Sequence, residues 1–299
     1  MNSRPIVILN CAARSEKAAA LRAQLDKLAG REQIVLTQGP GSAQRQAMEA
    51  AQGGARTVVA AGGDGTINEV LNGLVGSNVT FGILPIGTIN VLARELGIPL
   101  SVDGAWKVIE ENRPLPIDLV RADYMRDGRR QQRHFIQVAG IGRDAHVVQK
   151  VTREAKKRWG PASYLLQLFK SMKEDLPPLM VRVDGGRELT ARLVLAGNGR
   201  YYGGSIAIFP KASMTDGLLD LCLFESDRLF NAVRYLQSVV AKTQGSFPGL
   251  TYVQTRRAEI TAATEMPIQL DGEFAGFLPA ILEIVPAAIS ILVPHDESC

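Results

Sequence analysis

The sequence is poor in the residues that build disulfides and metal clusters. Its three cysteines, Cys11, Cys222 and Cys299, stand far apart without a C-x-x-C pair, which argues against a disulfide framework and a thiolate zinc site. Its three histidines, His134, His146 and His295, are equally scattered and read as ordinary core or surface residues. No uncharged apolar run reaches the ~18–20 residues that a membrane-crossing helix needs. The apolar stretch near the N-terminus, PIVILN (5–10), is too short for a signal peptide and reads as a first buried strand, so the chain is expected in the cytoplasm. A G-x-x-x-x-G-K-[ST] phosphate loop is missing, and so are internal repeats and low-complexity tracts. The net charge of +4 is modest, but two basic runs stand out, RRQQRH (129–134) and REAKKRW (153–159). Neither carries interleaved aromatics, which disfavours nucleic acid. A solvated face and a surface resting on anionic lipid are the two readings that remain.

At 299 residues the chain fits two domains of ordinary size, and its 46% apolar and 21% charged content is that of a soluble globular protein. In the first part strand and helix alternate. PIVILN is followed by a helical pattern over 15–30, with Ser15 as its cap and Gly30 at its end, then by QIVLT (33–37). A helix over 43–54, a strand RTVVAAG (56–62), a helix INEVLNGLVG (67–76) and a strand TFGILPIG (80–87) complete the pattern. This alternation predicts an α/β domain with a parallel sheet. From PLPIDLVRADY (114–124) onward strands dominate, among them RELTARLVLAGNG, YVQTRRAEITA, PIQLDGEF and AILEIVP, with VDGGRE (183–188) as a tight hairpin turn. Helical patches interrupt them around 143–174 and 227–242. The second domain is therefore expected to be a β-rich antiparallel sandwich. The predicted boundaries are 1–120 and 121–287, and the final strand near 288–299 is a candidate to rejoin the first domain.

Chemistry concentrates in VVAAGGDGTINEVLNGL (58–74), where GGDGT lies between a predicted strand and a predicted helix. In open α/β sheets ligands bind at the carboxyl ends of strands. Gly62, Gly63 and Gly65 let backbone N–H groups approach a phosphate, and the helix N-terminus favours an anion. Asp64 would repel a bare phosphate, so it acts through Mg²⁺ or by orienting the loop, while Thr66 offers a hydroxyl. The turn TDGLLD (215–220) has an acid and carbonyls suited to a hard cation, although Asp216 before Gly217 is equally a turn residue. In QLDGEF (269–274), Asp271 and Glu273 share a face if the chain is extended, and Asp271-Gly272 is equally a hairpin turn. AGIGRDA (139–145) fits a dinucleotide fingerprint, but the acid expected about 20 residues on is missing.

GGDGTINEVLNGL together with LPIGTINVLARELGIP (84–99) resembles the bacterial diacylglycerol kinase and YegS-like lipid kinase family, related to sphingosine and ceramide kinases. AGIGRDAHV, GNGRYYGGSIAIFPKASMTDGLLDL and QLDGEF extend the resemblance over essentially the whole chain. GGDGT alone is shared with NAD kinases and phosphofructokinases, whose Rossmann-like fold the first domain is expected to follow. One stretch departs: where the family has Asn-Pro and then a glycine, this chain has Asn10-Cys11-Ala12-Ala13-Arg14.

The resemblance implies ATP-dependent phosphorylation of a lipid hydroxyl, of diacylglycerol or a related glycerolipid. It implies nucleotide contacts at Asn10, Thr37, Gly62, Gly63, Asp64, Gly65, Thr66, Ile67, Asn68 and Thr88, with Asn10 the weaker because of the departure. It implies Mg²⁺ at Asp216 with the backbone oxygens of Ser213 and Leu218. It assigns the base to QLDGEF, with Glu273 accepting the proton, Asp271 supporting it, and the reverse assignment open. The lipid partner implies transient association with the inner membrane surface, and a homodimer is left open. An NAD kinase-like enzyme and a non-catalytic lipid- or nucleotide-binding regulator are the alternatives.

Overall fold

Short apolar runs without polar alternation form the strands β1 (Ile6–Leu9), β3 (Thr57–Gly62) and β4 (Thr80–Pro85), each buried almost throughout. Such runs suit strands covered on both faces. The structure, a computed structural model, describes residues 4–10, 23–27, 33–150, 176–226, 235, 238 and 247–295. The chain divides into one unit of residues 1–118 and 286–299 and a second of 119–285.

In the first unit, β1 pairs in parallel with β2 (Ile34–Leu36) on one side and with β3 on the other, and β3 pairs in parallel with β4. The last residues of the final strand add a fifth parallel member, with Ser290 opposite Thr80. Helices α1 (Ser42–Gln52) and α2 (Asp64–Leu74) pack closely, because a side chain at Gly73 would run into the Gln44 carbonyl and the Ala47 methyl. α3 (Val91–Glu95) is short, and α4 (Val102–Glu111) starts at Ser101, whose hydroxyl accepts from the Gly104 N–H. Gly82 of β4 leaves room for Ile109 of α4. Helix α2 begins inside GGDGT, at Asp64, three residues ahead of the start that the apolar periodicity indicates. The expected helix over 15–30 is seen only as helical residues 23–27; Ser15, Gly30 and Cys11 to Arg14 lie outside the described residues.

The second unit is built largely of antiparallel pairs. Its strands are β5 (Pro114–Arg126, entering from the first unit), β6 (Arg129–Phe135), β7 (Val138–Gly142), β8 (Leu179–Val183), β9 (Arg187–Ala191) and β10 (Leu193–Gly197). A small pair, β11 (Tyr201–Tyr202) and β12 (Ile206–Ala207), precedes β13 (Leu219–Phe224), β14 (Leu250–Thr255), β15 (Arg257–Ala262), β16 (Pro267–Leu270) and the 20-residue β17 (Glu273–Leu292). One layer runs β14-β13-β10-β7-β16-β17, and β15, β8 and β9 continue from β17 in another direction. Helix α5 (Arg143–Lys150) follows β7 directly. The patch 151–175, including the basic run 153–159, and most of 227–246 lie outside the described residues.

β10 and β13 are buried on both faces. Val194, Ala196, Leu221 and Leu223 join Phe135, Ile141, Val181, Ile260, Ile268 and Leu282 in the main core. Leu195, Cys222 and Phe224 join Phe209 and Tyr235 in a second one. Full burial of one such aliphatic or aromatic side chain is worth about 1.5–3 kcal/mol. Two stretches that read as single strands are each two. RELTARLVLAGNG breaks at Arg192, whose N–H donates to the Phe224 carbonyl, and YVQTRRAEITA breaks at Arg256, whose N–H donates to Asp184. The pieces pair with different neighbours, so each break is a corner of the sandwich. PIQLDGEF and AILEIVP, by contrast, share the long β17.

Candidate functional site

In the first unit the sheet order β2-β1-β3-β4 places the carboxyl ends of four parallel strands side by side. Thr37 follows β2, Asn10 follows β1, GGDGT follows β3 and the Gly87-Thr88 turn follows β4. The order in which strands are added reverses between β1 and β3, the switch point at which open α/β sheets take ligands. There the Asn10 side-chain amide donates to the Thr66 hydroxyl at 2.7 Å, and the Asn10 N–H donates to the Ala61 carbonyl. Thr37 donates its N–H to the Leu9 carbonyl, extending the β1–β2 ladder by one residue.

Two glycine-bearing loops meet at this edge. A Cβ on Gly87 would lie 2.5 Å from the Gly63 Cα, and one on Gly62 would lie 2.5 Å from the Thr66 Cβ. The crossing is therefore backbone on backbone. Gly63 caps α2 without a side-chain hydrogen bond, which leaves the first-turn N–H groups of the helix to other acceptors. Gly65 is exposed, whereas Thr66, Ile67 and Asn68 are buried. Asn68 turns into the helix packing, and its carbonyl accepts from Asn72. Thr88 is exposed at the rim.

Asp64 has a clear occupation. Its carboxylate accepts from the Asn90 N–H at 3.0 Å and the Val91 N–H at 2.7 Å, capping α3 from a different loop. Asn90 sits in the left-handed region (φ 55°) that Asn tolerates better than most side chains, and its amide ties Gly87 N, Pro85 O and Gly87 O. Of the two roles open for Asp64, this geometry displays loop orientation. Glu69 makes a similar tie, accepting from Gly41 N and Ala43 N at the start of α1. Sequence reasoning missed Asn90 and Glu69. The Gly-Thr-x-Asn spacing carries a signal for the first; nothing marks the second.

In the second unit, Asp271-Gly272 is a two-residue hairpin turn between β16 and β17, with φ 49° and 79° and Leu270 opposite Glu273. The Asp271 carboxylate accepts from Ile136 N (2.9 Å), Gln137 N (2.9 Å) and Val138 N (3.0 Å). Burial pushes this carboxyl above its usual range, and the three backbone N–H groups oppose that shift. Asp271 thus anchors the turn, and Glu273 is the carboxylate that projects from it. Glu273 is half exposed and meets both terminal guanidinium nitrogens of Arg133 at 3.4 Å.

A buried polar chain supports the same turn from the other side. Gln269 accepts from the Gly272 N–H at 2.7 Å and donates to Asp144 at 2.9 Å; Asp144 in turn accepts from the Tyr202 hydroxyl at 2.6 Å. The Asp144 carboxylate occupies the space a Cβ on Gly140 would need. The AGIGRDA glycines therefore serve strand-to-helix packing, and β7 is antiparallel to both its neighbours, unlike a dinucleotide-binding strand. Asn198 donates to the Ile136 carbonyl and steadies the loop that Asp271 grips. Asp144, Gln269 and Asn198 were not singled out from sequence, although all three stand in the quoted motifs.

At TDGLLD the Asp216 carboxylate accepts from the Leu218 N–H, an Asx turn before Gly217 at φ 71°. Asp216 and Ser213 are exposed, and the Ser213 hydroxyl pairs with Thr215. Among the described residues no group of three or more His, Cys, Asp and Glu side chains could hold a metal. A hard cation here would rest on one carboxylate plus carbonyls and waters, an all-oxygen set of the kind Mg²⁺ and Ca²⁺ accept. Behind the turn, Asp220 is fully buried and accepts from the Tyr252 hydroxyl; burial pushes its carboxyl up to about 6.

Residues 4–122 match the diacylglycerol kinase catalytic domain, and residues 137–293 match the YegS C-terminal NAD kinase beta sandwich-like domain. The chain is 35% identical over 261 residues to a protein of Klebsiella pneumoniae named probable lipid kinase YegS-like, covering 86% of this chain and 84% of that one. It is 34% identical over 251 residues to a diacylglycerol kinase of Mycobacterium tuberculosis, covering 81% and 78%. A crystal structure of a diacylglycerol kinase from Bacillus anthracis superposes with a TM-score of 0.76 at 26% identity, covering 98% of this chain and 97% of that one. Yeast NADH kinase superposes with a TM-score of 0.58 at 11% identity, covering 98% and 84%, a likeness of fold.

Proposed function

We propose, from the premise that this chain belongs to the family of diacylglycerol kinases and YegS-like lipid kinases, that it moves the γ-phosphoryl group of ATP to the hydroxyl of a membrane lipid. Diacylglycerol and related glycerolipids are the acceptors the premise favours. One observation carries the donor side: four strand ends of one parallel sheet present Thr37, Asn10, Gly62–Thr66 and Gly87–Thr88 along a single edge. Backbone N–H groups there, with the uncapped start of α2, suit a triphosphate. Asp64 and Asn90 hold the second loop in the shape this requires.

In the reaction the lipid oxygen attacks the γ-phosphorus, the bond from that phosphorus to the β–γ bridging oxygen breaks, and ADP leaves. Glu273 accepts the hydroxyl proton as attack proceeds, a role open to a carboxylate on a rigid turn. Asp271 and Gln269 keep that turn in place. Mg²⁺ bound with the nucleotide would neutralise phosphate charge, and a second ion would brace the Asp216 turn. No helix among the described residues is long and apolar enough to cross a membrane. On the lipid-kinase reading, the acceptor is met by docking at the inner membrane surface.

Incubation with ATP labelled in the γ-phosphate and a total lipid extract, followed by mass identification of the labelled product, tests the reading. A phosphorylated glycerolipid is expected. Labelling of NAD in a parallel reaction, with no lipid product, would transfer the assignment to the NAD kinase-like alternative.

A further inference from the structure

The β5–β6 hairpin has two faces of different chemistry. Residues opposite each other on antiparallel strands share a face. Val120–Phe135, Ala122–Arg133, Tyr124–Gln131 and Arg126–Arg129 therefore make up one face, and Arg121–His134, Asp123–Gln132 and Met125–Arg130 the other. On the second face charge is cancelled locally. Asp123 lies 3.6 Å from Arg121 and 3.7 Å from Arg130, and Arg121 also meets Glu283 at 2.6 Å. Burial and the nearby Arg121 push the His134 imidazole below its usual range.

The first face begins as core, with Val120, Ala122, Phe135 and Tyr124 buried, and then changes character toward the tip. There Arg126, Arg129 and Gln131, with Asp127 of the turn, line an open concavity of about 550 Å³. Arg129 has no ion pair among the described residues, and Arg126 reaches only the exposed Asp127, at 4.0 Å. Arg126 also stacks over Phe274, which packs edge-on against Phe277, and donates to the Ala275 carbonyl. Arg133, farther along the same face, pairs with Glu273. Two poorly neutralised guanidinium groups thus stand at the hairpin tip, one of them over the Phe274 ring.

We propose that this face is the bilayer-docking surface of the protein, with Arg126 and Arg129 seating the phosphates of anionic phospholipid headgroups. Guanidinium forks match phosphate oxygens in pairs, and partly exposed Phe274 and Phe277 suit the apolar side of the headgroup layer. The free-phosphate form of the same chemistry is less suited, because the concavity is open and its Arg126 lies over the partly exposed Phe274 ring. The proposal rests on the lipid-kinase reading for its purpose, but its test does not depend on turnover.

The experiment is sedimentation of the full chain with phosphatidylcholine vesicles with and without phosphatidylglycerol, for the wild type and R126Q/R129Q. R182Q/R257Q, which removes two arginines paired with Glu188 and Glu259, is the control. Wild type is expected to bind only the anionic vesicles, with binding weakened by salt. With about 1 kcal/mol per basic residue at such a surface, R126Q/R129Q is expected to bind roughly 10- to 30-fold more weakly and the control as wild type. Equal binding to neutral vesicles, unchanged binding by R126Q/R129Q, or capture by single-stranded DNA in place of vesicles would each overturn the proposal. Phosphorylation of a soluble short-chain diacylglycerol, measured in parallel, reports on the kinase reading separately. That rate should survive R126Q/R129Q, and its absence in wild type would remove diacylglycerol as the acceptor while leaving the vesicle result intact.

Discussion

Replacing Asp64 with alanine removes the acceptor of two backbone N–H groups, those of Asn90 and Val91. A hydrogen bond to a charged group contributes about 1.5–3 kcal/mol, and an N–H left without an acceptor carries a desolvation cost of similar size. Asp64 is half-buried, so water can reach part of the gap and the lower end applies. The expected local cost is about 2–4 kcal/mol for the pair, with a few tenths more from losing the negative charge in the first turn of α2. Hydrogen exchange reads this directly: the Asn90 and Val91 amides should exchange about 30- to 800-fold faster in the variant. Calorimetry with ATP should show weaker binding, by a similar factor in the presence and absence of Mg²⁺, since the carboxylate shapes the loop and does not depend on the ion. D64N should fall between, because its amide keeps one oxygen acceptor and turns a donor toward the other N–H. Unchanged exchange at Asn90 and Val91, with an affinity loss confined to Mg²⁺-containing buffer, would refute the reasoning and make Asp64 a metal ligand.

Three further outcomes follow from the same geometry. Gly87→Ala forces a methyl into the Gly63 backbone and the Asn90 carboxamide, so it should cost about 1–3 kcal/mol in urea unfolding and abolish detectable ATP binding. Asp271→Ala strips the acceptor from three N–H groups and places alanine at a positive φ; about 3–5 kcal/mol should be lost, and a change under 1 kcal/mol would contradict the anchoring role. Asp220 supplies a pH test. Its folded-state carboxyl lies near 6, above its unfolded value, so the stability it contributes is full below about pH 4 and fades as pH rises through 6. Wild type should therefore lose on the order of 2–3 kcal/mol more than D220N between pH 4 and 7 in chemical denaturation.

The parts of the fold carried by local pattern were readable from the chain. TVVAAG and TFGILP are apolar runs after a leading threonine, and such runs suit strands covered on both faces, as in a parallel sheet between helices. Asp184-Gly185 announces its turn by residue type. The sandwich corners at Arg192 and Arg256 were hidden, because no glycine or proline marks them and their cause is a backbone bond to a distant strand. The candidate site divides in the same way. Gly62 and Gly63 stand out by composition, but the tie of Asp64 to Asn90 spans 26 positions and that of Asp271 to Gln137 spans 134. A carboxylate looks the same in sequence whether it meets a phosphate, a metal or an amide. Only folding showed that Asp64 and Asp271 meet amides and that Glu273 extends from the anchored turn.

The central claim, transfer of the γ-phosphoryl group to a lipid hydroxyl with Glu273 as proton acceptor, is tested most directly by one comparison. Wild type and Glu273→Gln are mixed with γ-labelled ATP and lipid micelles, and label is followed into the lipid while ATP affinity is measured alongside. The account predicts equal ATP affinity and a rate of lipid labelling reduced about 10²- to 10⁴-fold, the range of a lost general base. Lipid labelling by Glu273→Gln at the wild-type rate would contradict it.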